Sequence, residues 1–156
     1  MSNDTMQGRL IKVHITLGGE SFWALLANEN DRHCVVKNVL LDPNVTLDDV
    51  IEISRGIEAN GDYPWEFVKV IEKKRNSAYI KYSDKGDKEA VTKRFRAIAK
   101  YLRQKDIMTE GMIAGMATIA YPVSMNETHL KTICGACVRK IELKMPEIVE
   151  DNNEKI

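Results

Sequence analysis

The chain has 156 residues, 44% hydrophobic and 29% charged, which suits one domain or two small subdomains and excludes a wholly disordered or collagen-like chain. Its 23 Lys and Arg balance 23 Asp and Glu, but residues 1 to 62 hold five basic against ten acidic side chains and residues 63 to 106 thirteen against six. No apolar run approaches the ~20 residues of a membrane-spanning helix, and the start Met1-Ser2-Asn3-Asp4 lacks the basic-then-apolar order of a secretory leader, so a cytoplasmic protein with no membrane partner is expected.

Strands come first. Ile11, Val13, Ile15 and Leu17 alternate with Lys12, His14 and Thr16, and after Gly18-Gly19 a second strand runs from Phe22 to Ala27, ending at the turn Asn28-Glu29-Asn30-Asp31. His33 to Lys37 is a short third strand, Pro43-Asn44 marks a loop, and Asp49 to Ser54 is a fourth strand with Ile51 and Ile53 inward. After a loop over Gly56 to Pro64, Trp65 to Glu72 has apolar residues on both faces, which predicts a central strand. Ala78 to Tyr82 follows as a further strand.

Asp87 is the expected N-cap of an amphipathic helix whose stripe is Val91, Phe95, Ile98 and Leu102, ending near Lys105. This stripe is expected to dock on a sheet containing the Trp65 strand and a strand over Ile113 to Tyr121, closed by Pro122. Ser124 to Glu127 fits a capping box for a second helix with a buried stripe of Leu130, Ile133, Cys134, Cys137 and Ile141. The order predicts an α+β fold, with a small barrel-like antiparallel sheet followed by a β-β-α-β-α layer like half of a ferredoxin-like unit. The expected organisation is a flexible N-terminus over 1–8, a strand-rich subdomain over 9–62, an α+β subdomain over 63–144 and a flexible C-terminus over 145–156.

The segments Ser21-Phe22-Trp23-Ala24, Asn38-Val39-Leu40-Leu41, Asp49-Val50-Ile51-Glu52 and Val68-Lys69-Val70-Ile71-Glu72 stand in an order that resembles a family of uncharacterised small bacterial proteins. That family has an aromatic-Trp-Ala strand, an Asn-Val-Pro-Phe-like turn and a Gly-Asp-Val-Val-like strand; here Leu40-Leu41 replaces the Pro-aromatic pair. The resemblance implies a fold and no activity.

Motifs with a named chemistry are few. Cys134-Gly135-Ala136-Cys137 has the spacing of a metal knuckle or a redox pair, but both cysteines fall on the apolar stripe of the second helix, and free cysteine is commonly buried. The third cysteine, Cys34, leaves an odd number, which favours reduced thiols over a disulfide framework. His33 and Cys34 are neighbours on a strand and point to opposite faces, so they do not form a nucleophile and base. Asp48, Asp49 and Glu52 are the densest acidic point, which suggests a candidate acidic binding patch; as a magnesium site they lack a second cluster. Gly18-Gly19 lacks the helix and Lys-Ser/Thr of a phosphate loop, and there is no Gly-x-Ser-x-Gly.

A basic ridge remains. On helical spacing Lys93, Arg96, Lys100 and Arg103 lie opposite the apolar stripe, Lys73, Lys74 and Arg75 extend the charge, and Tyr79, Lys81 and Tyr82 interleave aromatics with it. The pI of about 6.8 is low for a dedicated nucleic-acid binder. The expectation is a non-enzymatic, cofactor-free, cytoplasmic module that binds another protein, of the immunity, antitoxin or anti-defence kind. The alternatives are an accessory nucleic-acid binder using the ridge on the helix at 88–105, and a CxxC-dependent metal or redox protein.

Overall fold

A computed structural model describes residues 8–15, 19–27, 32–55, 65–83, 87–113 and 115–144. The expectations for Leu17, the turn at 28–31, the loop at 56–64 and the termini over 1–7 and 145–156 lie outside these residues. The fold is α+β: a closed five-stranded barrel followed by a four-stranded sheet with two helices.

The barrel is a meander of β1 (Arg9–Ile15), β2 (Glu20–Leu26), β3 (His33–Val36), β4 (Val50–Arg55) and β5 (Trp65–Glu72). Consecutive strands pair antiparallel, so an odd number of them must close with a parallel seam, which β1 and β5 form through Val13↔Trp65 and His14↔Glu66. Period-two alternation sends Val13, Phe22, Val36, Ile51 and Ile53 inward, and they meet Trp65 in a core of their own. Two expectations are corrected here. β5 is a barrel strand with Val68 and Ile71 exposed, not a central strand beneath the helix, so the expected division between residues 62 and 63 falls inside the barrel.

The second sheet has the order β7-β8-β6-β9, from β6 (Arg75–Lys81), β7 (Met108–Gly111), β8 (Met116–Pro122) and β9 (Lys140–Leu143). α1 (Lys88–Arg103) begins where Asp87 accepts a hydrogen bond from the Ala90 amide, as expected. Its stripe packs on Ile80, Ile119 and Tyr121 together with Leu130 and Ile133 of α2 (Glu127–Gly135). Asn126, not Ser124, caps α2, accepting from the His129 amide at 2.7 Å. α2 ends at Gly135, so Cys137 lies beyond it and Ile141 belongs to β9. Ile113 is outside β8 and exposed.

The opposite face of this sheet is buried too, including Thr118 and Ala120. There the barrel's β3–β4 loop reaches the sheet: the Lys144 ammonium donates to the carbonyls of Leu40 and Leu41, both at 3.1 Å, and lies 4.5 Å from the centre of the Tyr79 ring. Gly115 turns β7 into β8 at φ 87°, where a Cβ would run into the Ser83 carbonyl, so this turn demands glycine.

Phe95 is only half-buried, its ring 5.7 Å from that of Tyr82. Phe95→Ala is therefore expected to cost about 1 to 2 kcal/mol in denaturant melts, less than a full core truncation. A cost at the core-truncation level would mean that solvent does not reach this side of α1.

Candidate functional site

The acidic cluster and the basic triplet of the sequence meet each other. The Asp49 side chain is fully buried and accepts from four donors: the amides of Thr46 (2.9 Å), Lys74 (2.8 Å) and Arg75 (3.2 Å) and the Lys73 ammonium (2.6 Å). Arg75 carries the rest of the junction. Its Nε donates to Asp48 at 2.8 Å, its Nη2 to the Asp106 carboxylate at 2.7 Å, and its Nη1 to the carbonyls of Asp106 and Ala120. Burial disfavours the guanidinium charge, yet the hydrogen bonds to Asp106 and Asp48 outweigh it and raise the Arg75 pKa above its ordinary value. Asp48 and Asp106 are the two non-glycine residues with positive φ, 72° and 63°, among the described residues. The left-handed conformation aims both carboxylates at one cation; Asp tolerates it better than most residues.

Asp49 and Arg75 are thus largely buried in the joint, whereas Asp48, Glu52 and Lys74 keep exposed side chains. Lys73, Arg75, Asp48 and Asp49 neutralise one another inside the joint between barrel and sheet, Lys74 pairs with Glu72 at 2.9 Å, and Glu52 lies 4.0 Å from Lys69 in a solvated pair. The physical reason is topological: the end of the β3–β4 loop meets the β5–β6 connection and the start of β6, and the buried amides there need a carboxylate acceptor.

The cysteine motif also acts through packing. Cys134 is buried, and burial, reinforced by Cys137, pushes its thiol pKa up to about 12. Burial raises that of Cys137 as well, against the opposing influence of Arg94. Both shifts run against the lowered pKa that thiolate chemistry needs. Among the described residues no group of three or more His, Cys, Asp or Glu is arranged to hold a metal ion.

Lys93, Arg96, Lys100 and Arg103 are exposed on α1 as expected, and no described carboxylate pairs with them. The aromatics proposed beside them are partly withdrawn. Tyr82 is buried, and Tyr79 lies beneath the Lys144 ammonium.

Beside the ridge the structure places something the sequence did not signal. A cavity of about 240 Å³ opens between α1 and the β7–β8 turn, lined by Tyr82, Val91, Phe95, Gly111, Met112 and Ile113, with Lys88 at its rim. Lys88 and Thr92 also line a second cavity of about 620 Å³ that reaches Lys93 and Arg96. Gly111 also lines a third, of about 400 Å³, between β7 and the barrel, where Lys12 stacks 4.6 Å from the centre of the Trp23 ring. Shared lining residues thus link the three hollows in a row. Met112 and Ile113, two large apolar residues in a short connection, are exposed there.

No protein-family model matches the chain, and no curated protein matches it. A solved structure does: the novel crystal structure of a hypothetical protein from Neisseria gonorrhoeae superimposes with a TM-score of 0.51 at 13% identity, covering 90% of this chain and 97% of that one. This likeness concerns the fold, and it agrees with the expected resemblance to uncharacterised small bacterial proteins. No helix among the described residues is long and apolar enough to cross a membrane.

Proposed function

We propose that the chain is a non-catalytic, cytoplasmic protein-binding module that engages an acidic partner protein through α1 and the β7–β8 turn, a stoichiometric arrangement of the immunity, antitoxin or anti-defence kind. The observation that carries this reading is the apolar hollow of Val91, Phe95, Met112 and Ile113 beside a ridge of four exposed cations. Protein interfaces combine an apolar centre with a polar rim, and exposed apolar patches mark them. α1 holds six basic side chains against one acidic, Glu89, so long-range attraction selects an anionic partner. Nucleic acid is the less favoured partner because the flanking cations Lys73 and Arg75 are spent in the joint and Tyr82 is buried.

Two measurements decide between these partners. Carbodiimide cross-linking in extracts of the native cell joins lysine amines to partner carboxylates, and adducts to one protein should concentrate at Lys88, Lys93 and Lys100. Binding to a short single-stranded oligonucleotide should be undetectable at physiological salt. Micromolar, salt-sensitive oligonucleotide binding that the Lys93, Arg96, Lys100 and Arg103 to Ala variant loses would reverse the assignment, since each phosphate contact adds about one to the log-log salt slope.

A further inference from the structure

Resting on that reading, we infer that the partner contributes an extended, carboxylate-bearing segment that adds to the sheet at the outer edge of β7. Among the described residues β7 ends the sheet order, with only β8 beside it. The Met112 amide donates to the Met116 carbonyl, and the register continues as Gly111↔Ala117, Glu110↔Thr118 and Thr109↔Ile119. Hydrogen-bonded pairs alternate along an antiparallel ladder, so Glu110 bonds towards β8 while Thr109 and Gly111 turn their amides and carbonyls outward. Among the described residues nothing accepts from or donates to those outward groups. Such an edge is a template for another strand.

The surroundings select the occupant. Gly111 lines the hollow against α1 and also the hollow against the barrel, so side chains alternating along an added strand would enter both. One row meets Phe95, Met112 and the Lys88 rim; the other meets Lys12 and Trp23. The hollow against α1 has Lys88 as its one charged lining residue; along the rest of the row Glu20 accepts from the amides of Leu41 and Asp42, Asp87 caps α1, and Glu89 and Glu110, like Lys88, Lys93 and Arg96, have no described ion pair. A second copy of this chain fits poorly. Edge-to-edge pairing would bring two strongly basic α1 helices alongside.

The probe is a short synthetic peptide of alternating glutamate and valine, added to the full-length protein and followed by amide hydrogen exchange and titration. Binding should protect the Thr109 and Gly111 amides. N-methylation of alternate peptide bonds, Thr109→Pro, or Lys88→Ala with Lys93→Ala should each weaken it about tenfold or more, the loss of one or two hydrogen bonds or charges. Thr109→Pro removes an outward donor and leaves the bonds to β8; if it does not fold, the N-methylated peptide makes the same test on the unaltered protein. No peptide binding, undiminished binding of the N-methylated peptide, protection of both amides in the free protein, or a dimer that Thr109→Pro dissolves would each overturn strand addition. Cross-links concentrated at α1 alongside any of these results would leave the protein-binding reading standing, so the two failures are distinguishable.

Discussion

Asp49→Ala is expected to destabilise the protein by about 3 to 5 kcal/mol, the penalty for breaking a buried charge pair and orphaning its donors. The carboxylate is fully buried and serves three backbone amides and one ammonium. Lys73, about a third exposed, can turn to water when its partner goes. The amides of Lys74 and Arg75 cannot, because they sit in the chain that passes from the barrel to the second sheet. Asp49→Asn should fall between, since it keeps one acceptor oxygen and turns an amide donor towards other donors. Urea unfolding of both variants checks this. A loss below about 1 kcal/mol for Asp49→Ala would show that water replaces the carboxylate and that the joint tolerates solvent.

The same joint shows where sequence reasoning reaches its limit. Asp48-Asp49 and Lys73-Lys74-Arg75 are separated by some two dozen positions, and each alone reads as a solvated charge cluster; only the barrel's closure brings them together. The barrel itself was legible, since Ile11, Val13 and Ile15 and then Phe22, Ala24 and Leu26 keep strict alternation. β5 was misread for a definite reason. Its register against β4 shifts between Glu52 and Ile53 and again between Val50 and Ile51, so the inward residues are Trp65, Phe67 and then Val70. That change of phase mimics a strand buried on both faces. β7 and β9 escaped notice because four-residue segments carry little periodicity, and Ile141 happens to continue the helical spacing of α2. The ridge on α1 was legible because helical spacing alone places it. The hollow beside it was not, since it depends on where the β7–β8 turn lies against Phe95.

Lys144 leads to a test of the joint from the other side. Its side chain is 8% exposed, and burial lowers its pKa from 10.5 to about 8, with Lys73 pushing the same way and the charges of Glu20 and Asp42 opposing. Below about pH 8 the ammonium is charged in both folded and unfolded chains, and the folded state bears the full cost of burying it. Between about 8 and 10.5 the unfolded chain holds a proton that the folded chain has released, so the contribution of Lys144 to stability rises with pH. The rise is bounded at about 3 kcal/mol, the free-energy equivalent of such a pKa difference. Lys144→Met removes this titration while retaining an apolar stem against Tyr79, and Tyr121, whose pKa burial raises, is common to both proteins and cancels in the comparison. Urea melts of both proteins at neutral pH and at pH near 10 should show wild type gaining on the variant as pH climbs. Parallel curves would mean that Lys144 is hydrated in solution and does not hold the Leu40 and Leu41 carbonyls. A variant that gains on wild type would reverse the sign and show that the charged ammonium stabilises the joint more strongly than its burial weakens it.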